Sequence, residues 1–209
     1  MTTKVKICGL TSIHDAEMVV AAGADYLGLI FVKESQRCLS MTIAEQIRKA
    51  VSGRISIVGV FRNAPATFVA EAARRLALDF VQLHGHESPA YCQSLSTPVI
   101  KVLELTDQLN QDSIDQYSSC ASYLLFDRPK RTHQPPAVLD PIAILRGLEL
   151  NLPFFFAGNL SPETVRTPID QLNPFGIDVA SGVEAAPGIK DPDKVRAFCE
   201  ACRKSVPPA

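Results

Sequence analysis

Residues 5–31 read VKICGLTSIHDAEMVVAAGADYLGLIF, and this stretch carries the pattern that decides the fold. A short β-branched run at 5–8 precedes a helical stretch at 13–22, and a second strand-like run follows at 26–31. Gly23 lies between the helical stretch and the second run, where its tolerance of left-handed backbone favours helix termination. The segment therefore predicts a strand–helix–strand unit with two parallel strands.

The same alternation continues along the whole chain. Strands are predicted at 5–8, 26–31, 55–61, 80–83, 99–103, 123–126, 154–157 and 177–180, and helices at 13–22, 42–51, 65–76, 88–95, 112–118, 141–148, 162–171 and 192–204. Such a series predicts an α/β fold, and a closed (β/α)8 TIM barrel fits better than a doubly wound open sheet. We expect residues 1–209 to form a single barrel domain of near-minimal size, because a typical barrel has about 250 residues.

Composition narrows the class of protein further. The chain has 209 residues, of which 46% are hydrophobic, and 21 basic residues balance 22 acidic ones. The near-zero net charge gives no footprint for nucleic acid, and no apolar run approaches the roughly 20 residues of a membrane span. The first residues lead directly into a predicted strand without a secretory apolar region, so we expect a cytoplasmic protein.

Polar residues and glycines fall at the carboxyl ends of the predicted strands, where barrel enzymes place their reacting groups. Gly158 and Asn159 follow the seventh strand, and Ser181 and Gly182 follow the eighth. Each pair precedes a predicted helical start, with residues 161–163 read as an N-cap, a first-turn proline and a first-turn acid. Backbone amides at a helix start suit an anion, so these four residues are predicted to bind phosphate.

Several motifs on these strand ends resemble those of phosphoribosylanthranilate isomerases. They are KICGL at 6–10, GVF-x-N at 59–63, VQLHGHE at 81–87, FAGNL at 156–160, DVASGVE at 178–184 and GIKDP at 188–192. Any one motif is weak, but their order on successive strand ends is highly specific. The resemblance covers essentially the whole chain.

The resemblance implies an enzyme of tryptophan biosynthesis that converts N-(5′-phosphoribosyl)anthranilate into an aminoketose by an Amadori rearrangement. It implies Cys8 as the general base and Asp127 as the general acid. Arg37 would face the anthranilate carboxylate, to which a guanidinium can donate two parallel hydrogen bonds. Gln82 and His84 would line the substrate pocket, and Asp178 would position substrate hydroxyls or the ring.

The implied chemistry needs neither a metal nor a redox cofactor, because the iminium intermediate itself accepts the electrons. The partner would be a small sugar-phosphate substrate, and the chain would be a monomer or a homodimer. The sequence departs from the family after Asp127, where residues 128–136 replace a glycine-rich stretch with basic residues and prolines. We hypothesise that Lys130 or Arg131 reaches the substrate phosphate or carboxylate from this stretch.

Two other functions stay open at this point. The pair His84 and His86 could belong to a metal-dependent hydrolase, although a metal site would need further ligands on other strand ends. Alternatively, the altered stretch after Asp127 could mark a barrel that binds a sugar phosphate with little turnover. Cysteine at position 8 argues against a related barrel isomerase that uses two aspartates.

Overall fold

A computed structural model describes residues 2–128 and 140–203 of the chain. Lys130 and Arg131, the side chains proposed to reach the substrate, lie outside the described residues. The barrel strands are β1 (Lys4–Cys8), β2 (Tyr26–Ile30), β3 (Ser56–Phe61), β4 (Phe80–Leu83), β5 (Val99–Glu104), β6 (Tyr123–Asp127), β7 (Phe154–Phe156) and β8 (Gly176–Val179). The helices in these ranges are α1 (Ile13–Ala21), α2 (Met41–Ala50), α3 (Ala66–Leu76), α4 (Pro89–Gln93), α5 (Gln111–Asp115), α6 (Pro141–Arg146), α7 (Arg166–Leu172) and α8 (Pro192–Arg203).

The eight parallel strands close into a barrel in the order of the sequence, which confirms the predicted (β/α)8 architecture. Closure is made by β1 and β8, whose register places Lys6 opposite Asp178. Because side chains alternate along a strand, Lys6 and Cys8 lie on the same face of β1. The neighbouring Val5 and Ile7 belong to the apolar layer between the strands and the surrounding helices.

The barrel interior changes character from one end to the other. Aromatic rings cluster near the amino ends of the strands, where Tyr26, Tyr123, Phe155 and Phe175 contact one another with centroid separations of 4.7 to 6.5 Å. Aliphatic side chains such as Val58, Ile100 and Leu125 belong to the same interior cluster. Apolar packing at this end leaves the carboxyl ends of the strands for polar side chains.

The predicted start of the seventh helix was wrong. Residues 162–165 form turns, and α7 begins at Arg166 rather than at Pro162. The Ser161 hydroxyl contacts the Glu163 carboxylate at 2.5 Å, while the Ser161 carbonyl accepts from the amides of Thr164 and Val165. The motif therefore builds a turn that delays the helix, and Gly158 and Asn159 do not lie at a helix start.

The segment after β8 contains structure that the sequence pattern did not predict. A 3₁₀ turn spans Ser181–Val183, and the strands β9 (Glu184–Ala186) and β10 (Ile189–Lys190) form a small antiparallel hairpin. The hairpin brings Glu184 and Lys190 back over the end of β1. Within the described ranges, no helix combines the length and the apolar character needed to cross a membrane.

Candidate active site

A cavity of about 380 Å³ lies at the carboxyl ends of the barrel strands, and we call it the central cavity. It brings together every residue predicted for catalysis or for substrate binding other than phosphate, namely Cys8, Arg37, Gln82, His84, Asp127 and Asp178. Cys8 and Asp127 are the last residues of β1 and β6, while His84 follows the last residue of β4. The barrel thus gathers side chains that are far apart in the sequence.

The thiol of Cys8 is buried against a lysine. Lys6, two residues earlier, is fully buried and donates a hydrogen bond of 2.8 Å to Asp178 Oδ1. The same ammonium interacts electrostatically with the Cys8 thiol. Burial raises the pKa of the Cys8 thiol, and Asp178 raises it further, whereas Lys6 and Lys190 lower it without cancelling the shift.

The Lys6 ammonium stays charged in this setting. Burial alone would lower its pKa, but Asp178 and Cys8 outweigh that effect and hold the pKa above its ordinary value. Gly28 provides the space for the thiol, because a Cβ at that position would lie 2.7 Å from Cys8 Sγ. The strand pairing of β1 with β2 therefore fixes where the sulfur can sit.

Asp127 and His84 form the polar wall opposite Cys8. The His84 Nε2 atom lies 3.7 Å from Asp127 Oδ2, and about a fifth of each side chain is exposed. The distance suits electrostatic contact, and it would become an ion pair when the imidazole is protonated. The two side chains predicted separately from the ends of β4 and β6 therefore act on one another.

Gln82 lies below His84 on the inner face of β4, and its residue is 2% exposed. Among the described residues, its side-chain oxygen Oε1 is buried without a hydrogen-bond partner. A buried acceptor of this kind loses free energy unless a donor meets it. Its place in the wall of the central cavity makes Gln82 suited to accept a hydrogen bond from a ligand.

Arg37 is held by a carboxylate from the hairpin. Its Nε and Nη2 atoms donate to the two oxygens of Glu184 at 2.7 and 2.6 Å. Lys190 Nζ donates to Glu184 at 2.9 Å and to the Cys8 carbonyl at 2.7 Å. The hydrogen bonds with Glu184 raise the pKa of Arg37 despite its partial burial, so this guanidinium is oriented and charged.

The predicted phosphate-binding residues lie on two loops that contact one another. Gly182 approaches the Leu160 carbonyl so closely that a Cβ there would lie 1.7 Å from the carbonyl oxygen. Gly158 and Asn159 have positive φ angles of 99° and 53°, a backbone region that glycine and asparagine adopt more readily than most residues. They line a separate cavity of about 300 Å³, whereas Ala180, next to Ser181, lines the central cavity.

Sequence reasoning assigned no role to several charged residues at this site. Lys6, Glu184 and Lys190 stood inside quoted motifs, and Glu34 and Arg62 line the central cavity without having been considered. A lysine between the apolar residues Val5 and Ile7 of a strand was the available signal for Lys6. In residues 2–128 and 140–203, no group of three or more His, Cys, Asp or Glu side chains has an arrangement that could hold a metal ion.

Comparison with known proteins identifies the family. Residues 5–201 match the family model described as N-(5′-phosphoribosyl)anthranilate isomerase. The chain belongs to the N-(5′-phosphoribosyl)anthranilate isomerase family. The resemblance on which the site residues were predicted is thereby confirmed, and the chain is an isomerase.

Individual members of the isomerase family match over nearly their full length. The enzyme named N-(5′-phosphoribosyl)anthranilate isomerase from Geotalea daltonii is 38% identical, with 98% of each chain covered. The one from Paramagnetospirillum magneticum is 37% identical, covering 99% of this chain and 100% of the relative.

Solved isomerase structures give the same result for the fold. A phosphoribosyl anthranilate isomerase crystallised with reduced 1-(o-carboxyphenylamino)-1-deoxyribulose 5-phosphate matches with a TM-score of 0.80 at 31% identity, covering 96% of this chain and 98% of that one. The enzyme from Thermotoga maritima matches with a TM-score of 0.83 at 29% identity and the same coverage.

Proposed function

We propose that this isomerase carries out the Amadori rearrangement of N-(5′-phosphoribosyl)anthranilate, a step of tryptophan biosynthesis, with Cys8 as the base and Asp127 as the acid. The observation that carries the proposal is the placement of both residues, from β1 and β6, on one cavity. Family membership and the ligand of the related crystal structure support the choice of substrate. We propose further that residues 1–209 form one domain, as a monomer or homodimer.

In the first step, the Asp127 carboxyl donates a proton to the furanose ring oxygen as the C1′–O bond breaks. The nitrogen lone pair forms the C1′=N double bond, which leaves an open-chain iminium. The carboxyl must be protonated to act as the donor. The neighbouring His84, 3.7 Å away, lies where it can hold the carboxyl side chain in position.

In the second step, the Cys8 thiolate removes the proton from C2′. The C2′–H electron pair forms a C1′=C2′ double bond, and the electrons of the C1′=N bond return to nitrogen. The resulting enolamine then tautomerises to the ketone. Burial keeps the resting Cys8 thiol protonated, so we expect the rate of proton removal to increase as the pH rises. The Lys6 ammonium and the positive iminium both favour the thiolate when it is needed.

Binding groups surround this acid–base pair. We propose that Gln82 Oε1 accepts a hydrogen bond from a hydroxyl or N–H of the substrate, and that Asp178 positions the sugar hydroxyls. Arg37, oriented by Glu184, is proposed to face the aromatic carboxylate. The amides of Gly158, Asn159, Ser181 and Gly182 are proposed to hold the phosphate.

The test is a fluorescence assay that follows loss of N-(5′-phosphoribosyl)anthranilate by the purified protein. We expect Cys8→Ala and Asp127→Ala each to lower kcat by about 10³-fold, within the usual range for a general acid or base. Cys120→Ala and Asp115→Ala are matched controls, because neither residue lines the central cavity. These controls should retain the activity of the unmodified protein.

Three results would contradict the proposal in different ways. Full activity of either Cys8→Ala or Asp127→Ala would remove that residue from the mechanism. Absence of turnover by the unmodified protein, with binding of the substrate retained, would favour instead a sugar-phosphate-binding barrel. Loss of activity on treatment with a chelator, restored by zinc, would revive the metal-dependent hydrolase alternative.

A further inference from the structure

Arg62 is a second arginine on the central cavity, and its charge is uncompensated. It follows Phe61, the last residue of β3, and it also lines the adjoining cavity of about 520 Å³ near the ends of β4 and β5. Within the part of the chain that the structure describes, its guanidinium has neither an ion pair nor a hydrogen bond. Its side chain is exposed, so it can move toward a ligand without losing a contact.

In the described ranges, the other positively charged side chains around the central cavity are already paired, unlike Arg62. Arg37 is matched by Glu184 through two hydrogen bonds, and Lys6 is matched by Asp178 at 2.8 Å. Each pair is close to neutral as seen by an incoming anion. Glu34 also lines the cavity and adds a negative charge, while His84 already lies against Asp127. Among the residues that the structure describes, Arg62 is thus the cation on this wall whose charge is available to a carboxylate.

We propose that Arg62 binds the carboxylate on the aromatic ring of the substrate, together with the remaining Nη1 edge of Arg37. The inference rests on the proposed function, because it concerns the same substrate in the same cavity. Glu184 fixes the orientation of the Arg37 guanidinium, and Arg62 provides the net positive charge that attracts the carboxylate. A guanidinium suits this task because its planar donors match the two oxygens of a carboxylate.

The position of Arg62 makes it a specificity residue rather than a part of the acid–base chemistry. It follows the end of β3, whereas Cys8 and Asp127 end β1 and β6. An aryl ring without its carboxylate would gain nothing from Arg62. The residue should therefore discriminate between substrates with and without that group.

The experiment compares two ligands by isothermal titration. One is the reduced product analogue that carries the o-carboxyphenylamino group, and the other carries an unsubstituted phenylamino group. For Arg62→Ala, we expect the Kd of the carboxylated analogue to rise about 10- to 100-fold, as for loss of a charged hydrogen bond. The Kd of the phenylamino analogue should stay within about 2-fold of its original value, because charge-independent contacts are retained.

Three further variants sharpen the comparison. Arg74→Ala removes an exposed arginine of α3 that lines neither cavity, and it should leave both Kd values unchanged. Glu34→Gln removes a negative charge from the cavity wall and should lower the Kd of the carboxylated analogue by about 2- to 5-fold, as for an exposed charge. Arg62→Lys should recover only part of the lost affinity, because an ammonium does not provide the paired donors.

Equal weakening of both analogues by Arg62→Ala would overturn the inference, since Arg62 would then serve the phosphate or the general shape of the cavity. Unchanged binding of both would overturn it as well. Neither result would touch the proposed function, which depends on turnover by the unmodified protein. Conversely, absence of turnover together with selective binding through Arg62 would contradict the function and leave the carboxylate site standing.

Discussion

Two buried lysines occupy comparable places in the barrel but have different roles. Lys6 on β1 pairs with Asp178 at 2.8 Å, and Lys101 on β5 pairs with Glu87 at 2.9 Å. Both lysine side chains are at most 2% exposed, and both ion pairs join groups at the carboxyl half of the barrel. The pairs differ in how their remaining hydrogen-bonding capacity is used.

The Lys101 pair is saturated by backbone groups. Its ammonium donates to the carbonyls of Leu83 and Gly85 as well as to Glu87, and Glu87 accepts from the amides of Asn63 and Gly85. The pair therefore ties the loop after β3 to the loop after β4. The ammonium has three acceptors and each carboxylate oxygen accepts a backbone amide, which indicates a structural role.

The Lys6 pair faces the central cavity instead. Asp178 lines that cavity, and the near neighbour of the Lys6 ammonium is the Cys8 thiol rather than a carbonyl. A charge placed beside a thiol changes the ease of its ionisation. Burial alone therefore does not separate structural from functional ion pairs. The group that contacts the lysine besides its carboxylate does so: a thiol for Lys6 and backbone carbonyls for Lys101.

The largest effect is expected for Lys101→Met. Removing one partner leaves Glu87 buried without a counter-charge, so the free energy of unfolding should fall by about 3–5 kcal/mol in urea titrations. The double variant Lys101→Met with Glu87→Gln should lose less, because no buried charge is then unpaired. A single-variant loss below about 1 kcal/mol would contradict the structural role.

For Lys6→Met, the main expected effect is on kcat rather than on the free energy of unfolding, and it is smaller. We predict a fall in kcat of about 100-fold, near the lower limit for acid–base groups, with a smaller loss of stability than in Lys101→Met. Lys6 lowers the pKa of Cys8, so its removal should move the acid limb of the pH–rate profile to higher pH.

The pH profile separates the two possible roles of Lys6. If Cys8 is the base, as proposed, it acts as thiolate. Activity should then be lost as pH falls through the Cys8 pKa, and a further rise in that pKa should narrow the active range from the acid side. The double variant Lys6→Met with Asp178→Asn should recover part of the shift, since Asp178 also raises the pKa of the thiol. A lower kcat with an unmoved profile would mean that Lys6 acts only as structural support.

The smallest effect concerns Glu87 in acid. Burial would raise its pKa, but Lys101 and the backbone amides hold that pKa below the ordinary value of 4.5. Glu87 thus contributes stability above about pH 4.5, and this contribution is lost as pH falls through its folded-state pKa. The difference in unfolding free energy between the unmodified protein and Glu87→Gln should therefore shrink below pH 4.5, by at most about 1.4 kcal/mol per pH unit.

A control variant makes this test specific. Glu71→Gln changes an exposed side chain, and it should show no comparable change with pH. A difference for Glu87→Gln that stays constant down to the onset of acid unfolding would contradict the assignment of the lowered pKa to the buried pair.

The parts of the molecule that follow local rules could be predicted from sequence. Strand and helix periodicity predicted the barrel, whereas the family resemblance implied which six side chains would meet in the central cavity. The start of α7 could not be obtained in this way, because Ser161 and Glu163 satisfy each other in a turn instead of capping a helix. A local motif compatible with two geometries does not choose between them.

Contacts between residues that lie far apart in the sequence could not be predicted either, for a different reason. Nothing near Arg37 indicates that Glu184, 147 residues later, would take two of its donors. The hairpin that delivers Glu184 is short and irregular, so it carries no clear periodic signal. The uncompensated charge of Arg62 becomes visible only once the other charges have been matched.

The contact between Lys6 and Asp178 spans 172 residues, and the pairing of β1 with β8 closes the ring. During synthesis, the strand that carries Cys8 emerges first, but its lysine meets its counter-charge only after the last barrel strand has been made. Contacts of such long range form late, because the intervening chain must be ordered first. We therefore expect enzyme activity to return during refolding only once the first and last strands have met.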